Sequence, residues 1–393
     1  MYDAIVIGAG PGGSSAALAL ARQGRGVAII EQSDFPRRKV CGEFMSAVNL
    51  DLLGRLGTGD AVRAKAGPEV RRVAFFASGP AVEAGMPPAS GDAFGRALGR
   101  DVLDSVLLHA AHSAGADVFQ PWRAVGICAD GDKTAVRIET KNECRVLIAD
   151  VVIAAHGSWE RGKLPSNLER QNRPHDFFGF KAHFRGASLA SDLMPLLAFP
   201  GGYGGMVWAD QGRVSLSCCM RRDALAKVRE KYRATSAAQA VYAHILASCP
   251  CVRAAIGNAT LDGEWLAAGP IRPGMRSRYV DDIFRVGNIA GESHPIIAEG
   301  ISMALQSGWL LATELAKFNH WDRTSRVAAG RLYSKAWHRQ FSTRIRAASV
   351  LARLAIFPRT ASAMRIFVRA LPVSLSFGAR LSGKTMPVPN ISY

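Results

Sequence analysis

The chain has 393 residues, 48% of them hydrophobic and 21% charged, a balance that fits a globular protein with a sizeable core and excludes a disordered one. No apolar run reaches the roughly 18 residues of a spanning helix, and seven cysteines, an odd number scattered without a secretion leader, fit reduced cytoplasmic thiols better than a disulfide framework. The formal charge is +17, and residues 319–393 carry thirteen Lys or Arg against one acid, Asp322.

Residues 4–7 are a short apolar run of the kind buried in parallel sheets, and without a basic leader they read as a strand and not as a signal peptide. Gly8-Ala9-Gly10-Pro11-Gly12-Gly13 follows and satisfies G-x-G-x-x-G. Gly8 allows the tight turn, Gly10 lets backbone approach a pyrophosphate, and Gly13 lets helix pack on strand. Residues 14–23, rich in Ala and Leu, predict a helix that stops at Gly24. Residues 27–30 predict a second strand, which ends on Glu31 at the place expected of a carboxylate that binds a ribose hydroxyl. Strand, motif, helix, strand and acid in this order imply an adenine dinucleotide.

Arg100 introduces an amphipathic helix over 101–114, and a strand starts at 116–119. Strands are expected over 135–139 and 145–149, with a buried run at 151–155. Residues 166–269 mix strands with one helix near 236–247 and hold no nucleotide motif, as expected of an inserted sheet layer. From Val286 the chain reads VGNIAGESHPIIAEGISMALQSG, a strand end and polar turn in which Pro295 and Gly300 lead into a helix over 301–315. A second helix N-terminus is thereby aimed at a ligand. Cys218-Cys219 and Cys249-Pro-Cys251 lack a second ligand pair at zinc-like spacing, so no metal site is expected.

Two such turns on one dinucleotide resemble the FAD site of the p-hydroxybenzoate hydroxylase-like flavoproteins, and most closely their geranylgeranyl reductase branch. The branch pattern G-D-A-A-G…P…G-E-G-I…A…S-G is met at Gly287, Asn288, Ala290, Gly291, Pro295, Glu299, Gly300, Ile301, Ala304, Ser307 and Gly308. Arg100, Asp104, Gly115 and Ala116 match its helix-opening motif, and KVCGEF at 39–44 matches its Cys-Gly-Glu segment. The likeness covers about residues 1–315. It implies an α/β fold with a Rossmann-like FAD-binding domain (1–68, 96–165 and 270–318), an inserted β-sheet substrate domain (69–95 and 166–269) and a basic helical C-terminal segment (319–393). It also implies non-covalent FAD held by Gly8, Gly10, Pro11, Gly13, Glu31, Arg100, Gly287, Asn288, Pro295, Gly300 and Ile301.

Three positions depart from the pattern. Asn288 replaces an Asp and can hydrogen-bond a ribityl hydroxyl without charge. His156-Gly157 replaces an Asp-Gly pair linked to pyridine nucleotides, which leaves NAD(P)H unassigned as electron donor. The motif P-x-x-Y-x-W-x-F-P keeps Pro200 and Tyr203 but has Gly205 and Val207 in place of its Trp and Phe. A geranylgeranyl chain is therefore not the automatic substrate.

The resemblance places Cys41 beside the flavin, as a proton donor or redox partner, against the plain alternative of a small buried side chain. His294 is a candidate proton donor near pH 7 or a structural histidine. Glu43 is an acid or a solvated loop residue, and Tyr203 and Trp208 are expected in an apolar substrate pocket. The expected activity is addition of hydrogen to a C=C bond of a hydrophobic lipid-, isoprenoid- or polyketide-like molecule. Alternatives are an aromatic or polyketide hydroxylase on the same flavin, and a flavin-binding redox sensor. The W-x-W-x-I-P segment of flavin halogenases is absent. The basic segment reads either as a packed helical layer with outward arginines or as a peripheral contact with anionic membrane. No nucleic-acid module accompanies its charge.

Overall fold

The computed structural model describes residues 1–89, 92–158, 164, 171–384 and 388. Strand Tyr2–Ile7 lies between Val27–Ile30 and Cys144–Ala154, parallel to both. Asp117–Phe119 extends one edge and Ile283–Arg285 the other, again in parallel. Apolar runs without polar alternation suit strands covered on both faces. Helices Pro11–Ala21, Arg100–Ser113 and Gly300–Leu315 share the core on one face. The hairpin Arg123–Asp130 and Lys133–Glu139 packs with Ile5, Ile7, Ala28 and Ile30 on the other. The expected runs at 145–149 and 151–155 are one strand, Cys144–Ala154. Its first half pairs antiparallel with the hairpin and its second half parallel with Tyr2–Ile7, so one strand serves both.

A second, seven-stranded sheet runs in the order Thr260–Ile271, Phe177–Arg185, Val214–Arg221, Gly202–Trp208, Leu193–Phe199, Arg72–Phe76, Val82–Gly85. Neighbours are antiparallel except Leu193–Phe199 with Arg72–Phe76. Three helices follow in this region where one is expected: Arg222–Tyr232, Ala237–Ser248 and Pro250–Ile256. The expected one is the middle helix, capped by Ser236, whose Oγ accepts from the Gln239 N–H. The first escapes a hydrophobic-period reading because Val228 is its one buried residue. Together they cover the outer face of the sheet.

The basic segment forms helices Arg323–Ile356, Pro358–Ala370 and Val373–Leu381. The long helix packs Tyr333, Trp337, Phe341 and Ile345 on the first unit, then Ala348, Ala352 and Ala355 against Tyr203 and Ile296. Arg331, Arg339 and Arg346 on the same helix are exposed. Among the described residues, no helix is long and apolar enough to cross a membrane, and no group of three His, Cys, Asp or Glu is placed to hold a metal ion.

Candidate functional site

One continuous cleft lies between the two sheets and encloses about 1650 Å3 counted out to its open mouth. Its first end is backbone. Gly8, Gly10, Pro11 and Gly12 line it, and Pro11 opens the helix whose first-turn N–H groups have no acceptor within the helix. Gly13 does not line the cleft. A Cβ there would stand 1.9 Å from the Gly8 carbonyl oxygen, so this glycine seats the helix on the strand. A Cβ on Gly12 would lie 3.3 Å from the Gly287 nitrogen, which shows how closely the two turns converge.

Glu31 borders the same end, only 3% exposed. Its carboxylate accepts from the Ala9 N–H at 2.9 Å and the Ser33 N–H at 3.0 Å, with Arg37 at 3.4 Å. The acid is thereby fixed against the fingerprint turn. Gly287, Asn288, Pro295, Gly300 and Ile301 line the second turn as expected. The Asn288 amide donates to Glu292 at 3.0 Å, which leaves its carbonyl oxygen as the group able to meet a ligand hydroxyl. His156 and Gly157 also line the cleft.

Arg100 joins the two ends. Its guanidinium makes a two-point ion pair with Asp104, both contacts at 2.7 Å. It lies 3.7 Å from where a Gly10 Cβ would stand and within hydrogen-bonding reach of the Cys41 thiol. Burial opposes its charge, but Asp104 and then Cys41 more than offset that and hold its pKa above the ordinary value. Cys41 is half-buried and lines the cleft.

The far end is made of side chains. Strand alternation turns Tyr203, Gly205 and Val207 to the cleft, with Ser217 opposite Gly205 on the next strand and Leu196 on the other side. Met194, Phe44 and Ile296 complete an apolar wall. Trp208 is not part of it. Five residues from Tyr203 along one strand, it faces the opposite side, packs with the helical core and donates its indole N–H to the Leu189 carbonyl at 2.9 Å. The odd spacing was the available signal.

His294 also stands outside the cleft lining, behind Tyr203. Its Nδ1 lies 3.0 Å from the Tyr203 hydroxyl and its ring meets Phe177 edge-on at 5.4 Å. Burial, helped by the charge of Arg353, pushes its pKa down to about 4. At neutral pH the imidazole is uncharged, which does not fit proton donation by an imidazolium near pH 7. Burial also raises Tyr203 well above its usual range.

Glu43 is neither solvated nor in an ordinary loop conformation. Its φ of 61° turns the side chain inward, where it is 1% exposed. Lys181 donates to one carboxylate oxygen, which also accepts the Arg100 N–H at 3.2 Å, and His183 Nε2 lies 2.7 Å from the other. Arg38 in turn contacts His183 Nδ1. Burial would raise the Glu43 carboxyl, but the charge of Lys181 and then the contacts with His183 hold it far below the usual carboxylate range. The Glu43 N–H faces the Cys41 sulfur at 3.4 Å, so the buried cluster fixes the loop that carries Cys41. Sequence reading missed Lys181 and His183, which lie about 140 residues away on the second sheet. It also missed Glu292, a buried carboxyl raised by burial against the opposing effects of Arg276 and Ser158. The i, i+2 pair of polar residues in the apolar strand FFGFKAHFR was the signal for the first two.

Whatever fills the cleft must be long, carry anionic or hydroxyl groups at its backbone-lined end and tolerate an apolar wall beyond Arg100. An extended dinucleotide with a ring system meets these demands. A model of the FAD binding domain family matches residues 1–327. The digeranylgeranylglycerophospholipid reductase of Methanocaldococcus jannaschii is 26% identical over 343 residues, 82% of this chain and 79% of that protein. Conditioned medium factor receptor 1 of Dictyostelium discoideum is 27% identical over 365 residues, 82% of this chain but 65% of its own length, so the chain spans less than two thirds of that relative. The crystal structure of CmlS, a flavin-dependent halogenase, superposes with a TM-score of 0.72 at 22% identity, over 96% of this chain and 71% of that one, a likeness of fold.

Proposed function

The chain belongs to the FAD binding domain family, and from that premise we propose that this FAD-dependent oxidoreductase adds hydrogen across a C=C bond of a hydrophobic small molecule. When bound and reduced by an external electron donor, FAD would supply the reducing electrons as a hydride. The remaining work falls to side chains. Tyr203, Leu196, Met194 and Val207 exclude water and hold an apolar substrate against the ring end of the cleft. Cys41 holds the proton for the second carbon at its Sγ. Its loss leaves the sulfur facing the Arg100 guanidinium. Glu43, locked by Lys181 and His183, keeps the loop in place.

The observation that carries this reading is a half-buried thiol at the junction of the cofactor end and an apolar wall, beside a fixed cation. A hydroxylase or a halogenase has no use for a thiol proton there. Similarity to a reductase over most of the chain supports the same choice. Gly205 and Val207, in place of the larger residues of the reductase motif, leave a wider floor that suits a bulkier substrate than a single linear chain.

The test is product mass from digeranylgeranylglycerophospholipid and a panel of other unsaturated lipids, with chemically reduced flavin, with and without air. A product heavier by two hydrogens, formed without oxygen, is expected. A product formed only in air and one oxygen heavier makes the protein a hydroxylase, and one that carries halogen makes it a halogenase.

A further inference from the structure

The last two helices form a layer with apolar side chains on both faces. On its inner side Ala361 and Met364 join the cluster of Tyr203 and Ile296, while Leu375 and Ala379 pack with Met194, Val207 and Phe44 of the cleft wall. On its outer side Ile366 is 65% exposed, Phe367 57%, Val373 72% and Phe377 60%. Val373, Phe377 and Leu381 recur every fourth residue, which puts them in one stripe. Exposed arginines Arg359, Arg369 and Arg380 accompany them.

This layer is anchored rather than frayed. The long helix holds its start through Ala355 and Ile356. Beyond its end, Lys384 donates to the Ile297 carbonyl at 2.7 Å and pairs with Glu299 at 2.8 Å, both in the cofactor turn. The apolar stripe is therefore a fixed surface, and soluble proteins seldom leave one so large without an occupant.

We propose that the outer face of helices Pro358–Ala370 and Val373–Leu381 docks on an anionic lipid surface. Phe367, Val373 and Phe377 enter the acyl boundary, and the arginines meet lipid phosphates. Charge selects this occupant. A second copy would set its own exposed Arg359, Arg369 and Arg380 against these arginines, and like charges repel. A nucleic acid matches the arginines but leaves aromatic and branched side chains without a partner. Because the inner face of the same layer packs against the residues of the cleft wall, docking brings the substrate cleft close to the phase that dissolves apolar molecules.

The test uses the full chain with its FAD, co-sedimented with vesicles of phosphatidylglycerol and phosphatidylcholine in equal parts and with phosphatidylcholine alone. The wild type should pellet with the anionic vesicles and be released by added salt. Phe367→Asp with Phe377→Asp should lower partition by roughly 100-fold, since each loses a buried aromatic. Arg359→Gln with Arg369→Gln should lower it about 25-fold on anionic vesicles, at about fivefold for each charge. Retained flavin absorbance reports that each variant is folded, and the arginine pair carries the test if the aspartate pair does not fold. Absence of anionic pelleting, or pelleting unchanged in the arginine pair, overturns the proposal. So does a wild-type dimer that the aspartate pair converts to monomer, which assigns the face to a second copy. No turnover is measured, so the outcome is independent of the reaction proposed above.

Discussion

At the fingerprint end of the cleft, Gly8, Gly10, Pro11 and Gly12 present main chain to the ligand from one local turn. At the Cys41 end, contact comes from side chains on the 39–44 loop, the 293–301 turn and four strands of the second sheet. The difference is one of tolerance. A backbone site fails when a side chain is added, whereas a side-chain site fails when one is removed.

The largest expected effect separates two glycines of the backbone end. Gly13→Val meets the Gly8 carbonyl at 1.9 Å and should destabilise the fold by more than ~4 kcal/mol, read as failure to purify or a collapse of Tm. Gly10→Val meets only the Arg100 guanidinium, at an ordinary contact distance of 3.7 Å, and should fold, yet lose FAD, because the new side chain occupies the place of the pyrophosphate. Stoichiometric flavin on folded Gly10→Val would mean that the cofactor end is elsewhere.

At the other end the critical change is a removal. Glu43→Ala leaves Lys181 buried without its carboxylate and should cost about 3–5 kcal/mol in denaturant unfolding. A loss below ~1 kcal/mol would show that the cluster does not fix the loop. Glu43 and His294 also predict a common pH trend. Glu43 titrates lower folded than unfolded, so its stabilising contribution is present above its ordinary 4.5 and fades as pH falls below that value. His294 falls from 6.5 to about 4, so between these values the unfolded chain binds the extra proton and stability drops on acidification. At full expression this is up to ~3 kcal/mol, and His294→Asn should flatten the slope between pH 6.5 and 4. An unchanged slope in that variant would contradict the buried, neutral imidazole.

The smallest effect sharpens the boundary of the apolar wall. Trp208→Phe loses one hydrogen bond to Leu189 on the far side of the sheet and should cost about 1 kcal/mol of stability. Flavin content and substrate KM should not move. A raised KM would return Trp208 to the cleft.

The same difference explains what could be read from sequence. The fingerprint, Glu31, Arg100 and the second turn were legible because each is a local pattern with its own backbone demand. Cys41 is legible only through resemblance, and its contact with Arg100, which the sequence marks for the cofactor, is not legible at all. The Glu43 cluster was not legible, since its members meet only once the second sheet has folded against the 39–44 loop. Trp208 and His294 were misplaced for a related reason. Sequence proximity to a motif does not decide which face of a strand or turn a side chain takes, and at Trp208 the period of two did decide it.

The central claim is that Cys41 supplies the proton for a reductive step, and the rate at which substrate reoxidises reduced flavin without oxygen tests it most directly. Cys41→Ser should bind FAD normally and lose that rate by about 100-fold or more, the range of a lost general acid. Near-wild-type anaerobic reoxidation in Cys41→Ser would contradict the account and leave the cysteine as packing.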